Sequence, residues 1–134
     1  MATRSPDGVK EPADLRIDLV VADTEPEEVD ELTIRLRREL LELEVERVET
    51  APSGEPPAGS RAFEVLALGG LVVTLARDAG ALKGVVRTLQ SWLARDQRRS
   101  VKLELDGDAL EVTGVSSQEQ ERLIAAWLAR HSAV

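Results

Sequence analysis

The 134-residue chain has no cysteine, no tyrosine and a single histidine, and its aromatic content is 2%: Phe63, Trp92 and Trp127. Without cysteine there is no disulfide, no thiolate zinc site and no thiol nucleophile. That absence fits a cytoplasmic protein, which is the expected location. With so few aromatics the core must be aliphatic, and the 43% hydrophobic residues are enough to build one. Positive charge is also in short supply: 17 basic against 25 acidic residues give a formal net charge of −8. Such a field repels nucleic acid and anionic membranes, so neither is an expected partner.

Long hydrophobic runs are missing too. The uncharged run Val65 to Ala76 spans twelve residues, whereas a bilayer-spanning helix needs about 20. The start, MATRSPDGVKEPA, has no apolar signal-peptide core. Residues 1–13 read as a polar, disordered lead-in to one domain over residues 14–132.

Motifs that carry chemistry are equally scarce. Neither phosphate-loop pattern occurs, since G-x-x-x-x-G-K-[ST] and G-x-G-x-x-G are both absent. There is no G-x-S-x-G and no acidic cluster with calcium-loop spacing. His131 lies near the end of the last helical pattern, where a cation suits the helix dipole, and this position reads as a fraying end rather than a catalytic pocket. Catalytic, cofactor and metal residues are therefore assigned to none, and no cofactor is expected. A site made of carboxylates alone stays open, because spacing does not exclude it.

What the chain does contain is clear periodicity. Leu15, Ile17, Leu19 and Val21 alternate with Arg16 and Asp18, as in a strand with one buried face. In TEPEEVDELTIRLRRELLEL, Thr24 and Glu27 have capping-box spacing and Pro26 falls in the first turn. Val29, Leu32, Leu36, Leu40 and Leu43 form its main apolar stripe. Ile34 and Leu41 lie about 130° from that stripe at about 100° per residue. This second patch either meets another helix of the same domain or contacts a partner.

Val45 to Thr50 is a plausible second strand, and APSGEPPAGS (51–60) a Pro/Gly/Ser loop. FEVLALGGLVVTLA (63–76) is apolar on every side. It is expected to lie within a central helix over 61–77, with Gly69 and Gly70 at a tight crossing; two short strands around the glycines are the alternative. ALKGVVRTLQSWLARD is an amphipathic helix, and SVKLEL and ALEVTG around Asp106-Gly107 form a hairpin. SSQEQERLIAAWLARHS is a closing helix capped by Ser117 with Gln120 or by Ser116 with Glu119. The expected architecture is α+β: a mixed four-stranded sheet with helices mainly on one face, in the order β-α-β-α-α-β-β-α. The opposite face, with Arg16, Asp18, Lys102, Glu104 and Glu111, is solvated or meets a partner. Arg95, Arg98 and Arg99 form a basic cluster in a predicted loop. They either match a helix end or dock an acidic surface.

LVVTLARDAGALKGVVRTLQSWLARD followed by SVKLELDGDALEVTGVSSQEQERLIAAWLARH resembles the effector-associated constant component family of actinobacterial proteins. Its marks are an apolar helix with glycine, a helix ending in W-L, a V-x-L-E-x-x-G-D-x-L-E-x-x-G hairpin and an E-x-L-x-x-A-W-L helix. The resemblance spans about residues 14–132. It implies a non-enzymatic adaptor or regulator in NTP-dependent, immunity-like conflict systems. The implied partners are caspase-like or trypsin-like effectors and an NTPase. The resemblance carries no active site. From the helical wheel and the basic cluster, Ile34, Leu41, Arg95, Arg98 and Arg99 are the candidate partner contacts. A membrane-perturbing effector using residues 63–76, or a small carboxylate-based enzyme, is the alternative.

Overall fold

A computed structural model describes residues 12–51, 66–76, 79–115 and 117–131. The chain runs β1 (Ala13–Ala22), α1 (Pro26–Leu41), β2 (Arg47–Thr50), β3 (Leu66–Leu75), α2 (Ala79–Ala94), β4 (Arg99–Leu105), β5 (Asp108–Thr113) and α3 (Gln118–His131). The class is α+β, as the alternation and helical stripes require. The sheet has five strands, not four, in the order β2-β3-β1-β4-β5, and every neighbouring pair is antiparallel. The first six elements follow the split β-α-β plan twice, with β1 and β3 at the centre. The expected lead-in and the loop at 51–60 fall largely outside the described residues.

β1 forms the spine because its odd and even positions do different work. Leu15, Ile17 and Leu19 are fully buried under the helices, with Ala13 and Val21 beside them. The even positions meet opposite charges across the sheet: Arg16 faces Glu104 and Asp18 faces Lys102, pairings that favour this register. Lys102 also faces Glu111 of β5. The solvated face is thus a set of matched charges.

The 61–77 helix expectation fails. Residues 66–75 form β3, hydrogen-bonded to β1 on one side and β2 on the other. A strand near the middle of a sheet reads as a continuous apolar run, and periodicity alone does not separate it from a buried helix. The β-branched Val72, Val73 and Thr74 decide for the strand. Close approach holds at Gly69, toward side chains of α1 and from a strand instead of a helix crossing. A Cβ on Gly69 would lie 2.6 Å from Thr33 Oγ1 and 3.1 Å from Val29 Cγ1 of α1. Glycine is what lets α1 settle onto β3.

α1 buries Val29, Thr33, Leu36 and Leu40. Its start differs from the capping-box reading. Glu25 is the N-cap and makes no side-chain cap, while the Thr24 hydroxyl donates to Glu28 rather than engaging Glu27. Pro26 opens the helix as expected. The hairpin is also as expected. Asp106 (φ 53°) and Gly107 (φ 81°) both take positive φ, the pattern of a two-residue type I′ turn. Ser117 caps α3, its Oγ accepting from the Gln120 amide at 3.1 Å. Trp92 and Trp127 are the largest fully buried side chains, one anchoring α2 and the other α3.

Candidate interaction surface

Ile34 and Leu41 are two turns apart on α1 and share one face, 48% and 45% exposed. They do not meet another helix. The flank of α1 toward α2 carries Glu39, whose carboxylate takes a two-pronged hydrogen bond from Arg95 at 2.8 and 2.9 Å. The Ile34–Leu41 flank lies on the other side, toward the sheet edge. There Arg37 of α1 donates through Nε to the Val48 carbonyl of β2 at 2.8 Å. On a helix, Arg38 falls four residues after Ile34 and three before Leu41, so it stands between them. It is exposed and has no hydrogen-bond or ion-pair partner among the described residues. The result is an aliphatic–cation–aliphatic strip on a chain whose net charge is negative.

The other basic candidates are occupied within the fold. Arg95 holds Glu39, and this hydrogen bond is the main cause that lowers the Glu39 pKa. Arg98 grips Asp96 at 2.8 Å and donates to the Asp23 carbonyl at 3.2 Å. The side-chain and backbone hydrogen bonds from Arg98 hold Asp96 down to a pKa of about 2. Arg99 donates to the Trp92 carbonyl at 2.8 Å, and its guanidinium lies 4.6 Å from the centre of the Trp92 ring. Burial pulls its pKa down. These three arginines tie the α2–β4 turn to α1, to the end of β1 and to the core, and they are not grouped with Ile34 and Leu41. Arg38 is the cation that sequence reading missed. The helical wheel contained the signal, since the 34, 38, 41 spacing sets one cation between two aliphatics.

His131 is not at a fraying end. Its ring Nε2 lies 2.7 Å from Asp108 Oδ2, and its side chain is only 9% exposed. It stacks in a tilted contact with Trp127, ring centres 4.8 Å apart. Arg130 adds a 2.8 Å bond to the same carboxylate, and Trp127 Nε1 donates to the Asp108 carbonyl at 3.2 Å. Arg130 first and His131 second lower the Asp108 pKa. The cluster fastens the end of α3 to the start of β5. Among the described residues no three His, Cys, Asp or Glu side chains converge to hold a metal ion.

An open cleft of about 330 Å³ lies between α2, α3 and the end of β5, lined by neutral groups that include Gln90, Ser91, Thr113 and Gln120. Among the described residues that line it none is ionisable, and the Glu121 carboxylate stands beside it, accepting from the Gln90 amide at 2.9 Å. Among the described residues no helix is long and apolar enough to cross a membrane. Residues 66–75, the core of the segment named for membrane perturbation, are a sheet strand.

No protein-family model matches the sequence, and no curated protein is significantly similar to it. Among solved structures the chain is similar to a phage SAM lyase in complex with S-methyl-5′-thioadenosine. The identity is 12%, the TM-score 0.40, and the match covers 84% of this chain and 96% of that one. The neighbour is an enzyme, and the expectation of a non-enzymatic adaptor of a conflict system is withdrawn on that finding. A likeness at this level transfers no activity, substrate or site residue to this chain.

Proposed function

We propose that this chain is a protein-docking domain, and that the outer flank of α1 is its contact surface. One observation carries the reading: Ile34 and Leu41 stand exposed on one helix face with Arg38, which has no partner among the described residues, between them. Scattered surface aliphatics are ordinary, but two that flank an exposed arginine form a strip with a defined complement. The partner it fits presents apolar side chains around a carboxylate, on a helix or an extended segment. The carboxylate would pair with Arg38 while the two aliphatics lose their water.

Two further points belong to the proposal. A cytoplasmic location is supported by the absence of cysteine. Kinship with the effector-associated constant component family is supported by the hairpin and closing-helix motif over 101–131, and no role is taken from that kinship.

The test starts with co-purification from the native host, followed by reconstitution with the purified partner. Ile34→Glu with Leu41→Glu should abolish the reconstituted complex. Arg38→Glu should weaken it at least tenfold while circular dichroism stays unchanged. If both variants bind as the unmodified chain does, α1 is not the surface.

A further inference from the structure

The exposed face of α1 carries a charge pattern as well as an apolar one. Asp30 and Glu31 precede Ile34 by four and three residues, and Arg37 and Arg38 follow it by three and four. Asp30, Glu31, Ile34 and Arg38 are all exposed. Neither acid has a hydrogen-bond or ion-pair partner among the described residues, and nor does Arg38. The charge along this face therefore reverses sign about Ile34. The helix dipole accounts for acids first and bases last. It does not account for an exposed isoleucine at the point of reversal.

Helix geometry turns this pattern into a self-complementary surface. At about 100° per residue, Glu31 and Arg38 fall on one side of Ile34, about 60° and 40° round from it. Asp30 and Arg37 fall on the other side. At about 1.5 Å per residue, Glu31 lies about 4.5 Å before the level of Ile34 and Arg38 about 6 Å after it. A second α1 can lie antiparallel on this face, about a twofold axis that passes at Ile34. Glu31 of one copy then comes within about 1.5 Å of the level of Arg38 of the other, on the same side. Asp30 and Arg37 match in the same way on the opposite side, and Ile34 meets its own symmetry mate.

We propose that the outer flank of α1 pairs with the same flank of a second copy of this chain, antiparallel, with Glu31 of each copy on Arg38 of the other. The inference rests on the docking reading above and gives that strip an occupant. The complement it calls for, an apolar side chain beside a carboxylate on a helix, is present on α1 itself as Ile34 and Glu31. Charge also selects the register. Setting Ile34 of one copy against Leu41 of the other would bring the two Arg38 side chains together, and like charges reject that arrangement. In the chosen register Leu41 lies at the rim, level with Glu27 of the other copy. The contact is a single helix flank, smaller than the roughly 1,600 Å² of a standard interface. The dimer is therefore weak: it covers the strip at rest and gives way to a partner that binds more tightly.

The experiment is sedimentation equilibrium of the full chain up to millimolar concentration, with circular dichroism to verify folding. The unmodified chain should show a concentration-dependent dimer. Glu31→Arg and Arg38→Glu each set like charges against each other, so each should raise the dissociation constant at least tenfold. Mixed in equal amounts, the two variants are complementary and should form a heterodimer within about threefold of the original affinity. A chain carrying both changes is again complementary to itself and should also dimerise. An unmodified chain that stays monomeric overturns the pairing. So do single variants that dimerise as before, or a mixture and a doubly changed chain that both stay monomeric. The docking reading survives each of these results if a host partner still binds through Ile34 and Leu41, so the two fail separately.

Discussion

Gly69→Ala tests the packing of α1 on β3 most sharply. The added methyl would meet Thr33 Oγ1 at 2.6 Å and Val29 Cγ1 at 3.1 Å. The threonine hydroxyl has little freedom to move, because it is buried and donates to the Val29 carbonyl at 2.7 Å. Overpacking of this kind costs about 1–3 kcal/mol. Loss of unfolded-state freedom offsets roughly 0.4–1 kcal/mol of that, leaving a net destabilisation of about 1–2 kcal/mol. Thr33→Ala alone removes a methyl and a hydroxyl that bonds back onto its own helix. Better helix propensity compensates in part, so the change should cost about 0.5 kcal/mol. The double variant gives the new methyl the space the hydroxyl vacates. Its stability should match Thr33→Ala, with a coupling of about 1 kcal/mol or more in the double-mutant cycle. Urea unfolding followed by circular dichroism measures all four proteins. A coupling near zero, or an alanine at 69 without effect, would refute the close-approach explanation.

Gly84 lies within α2, and a Cβ there meets nothing within 4 Å. Gly84→Ala should therefore raise stability by about 0.5–1 kcal/mol in the same assay. Trp127→Phe keeps the ring in the core but removes the indole hydrogen bond to the Asp108 carbonyl; a loss of about 1 kcal/mol is expected in thermal unfolding. Asp96 should titrate near 2 by carboxyl NMR, and Arg98→Ala should return it to the ordinary carboxylate range. A depressed folded-state pKa means that this contribution is present above about pH 4 and fades as pH falls toward 2. The pair is solvent-exposed, so the accompanying change in stability should be small.

Where local chemistry fixed the outcome, the fold was legible before the structure. The alternation in β1, the stripe of α1 and the Asp106-Gly107 turn each have one reading. β3 did not, because a strand buried by two neighbours loses the period of two that marks strands. Gly69 signalled close approach without saying what approached. The site was legible only in part. Ile34 and Leu41 stood out from the helical wheel, whereas the fate of Arg95, Arg98 and Arg99 depended on Glu39, Asp96 and Trp92. The Arg95–Glu39 bond in particular spans 56 residues, and no periodicity encodes a contact between elements. His131 was misread for the same reason: its partner Asp108 lies 23 residues away on a different element.

The docking claim is tested most directly by site-specific photo-crosslinking in the native host. The crosslinker would be placed at Ile34, Arg38 and Leu41, and at the exposed Arg87 and Arg122 as controls. The account predicts one dominant adduct from the three α1 positions and none from the controls. Sequencing should map it to a segment where apolar residues surround an aspartate or glutamate. Adducts that arise equally at all five positions, or from the controls alone, would contradict it.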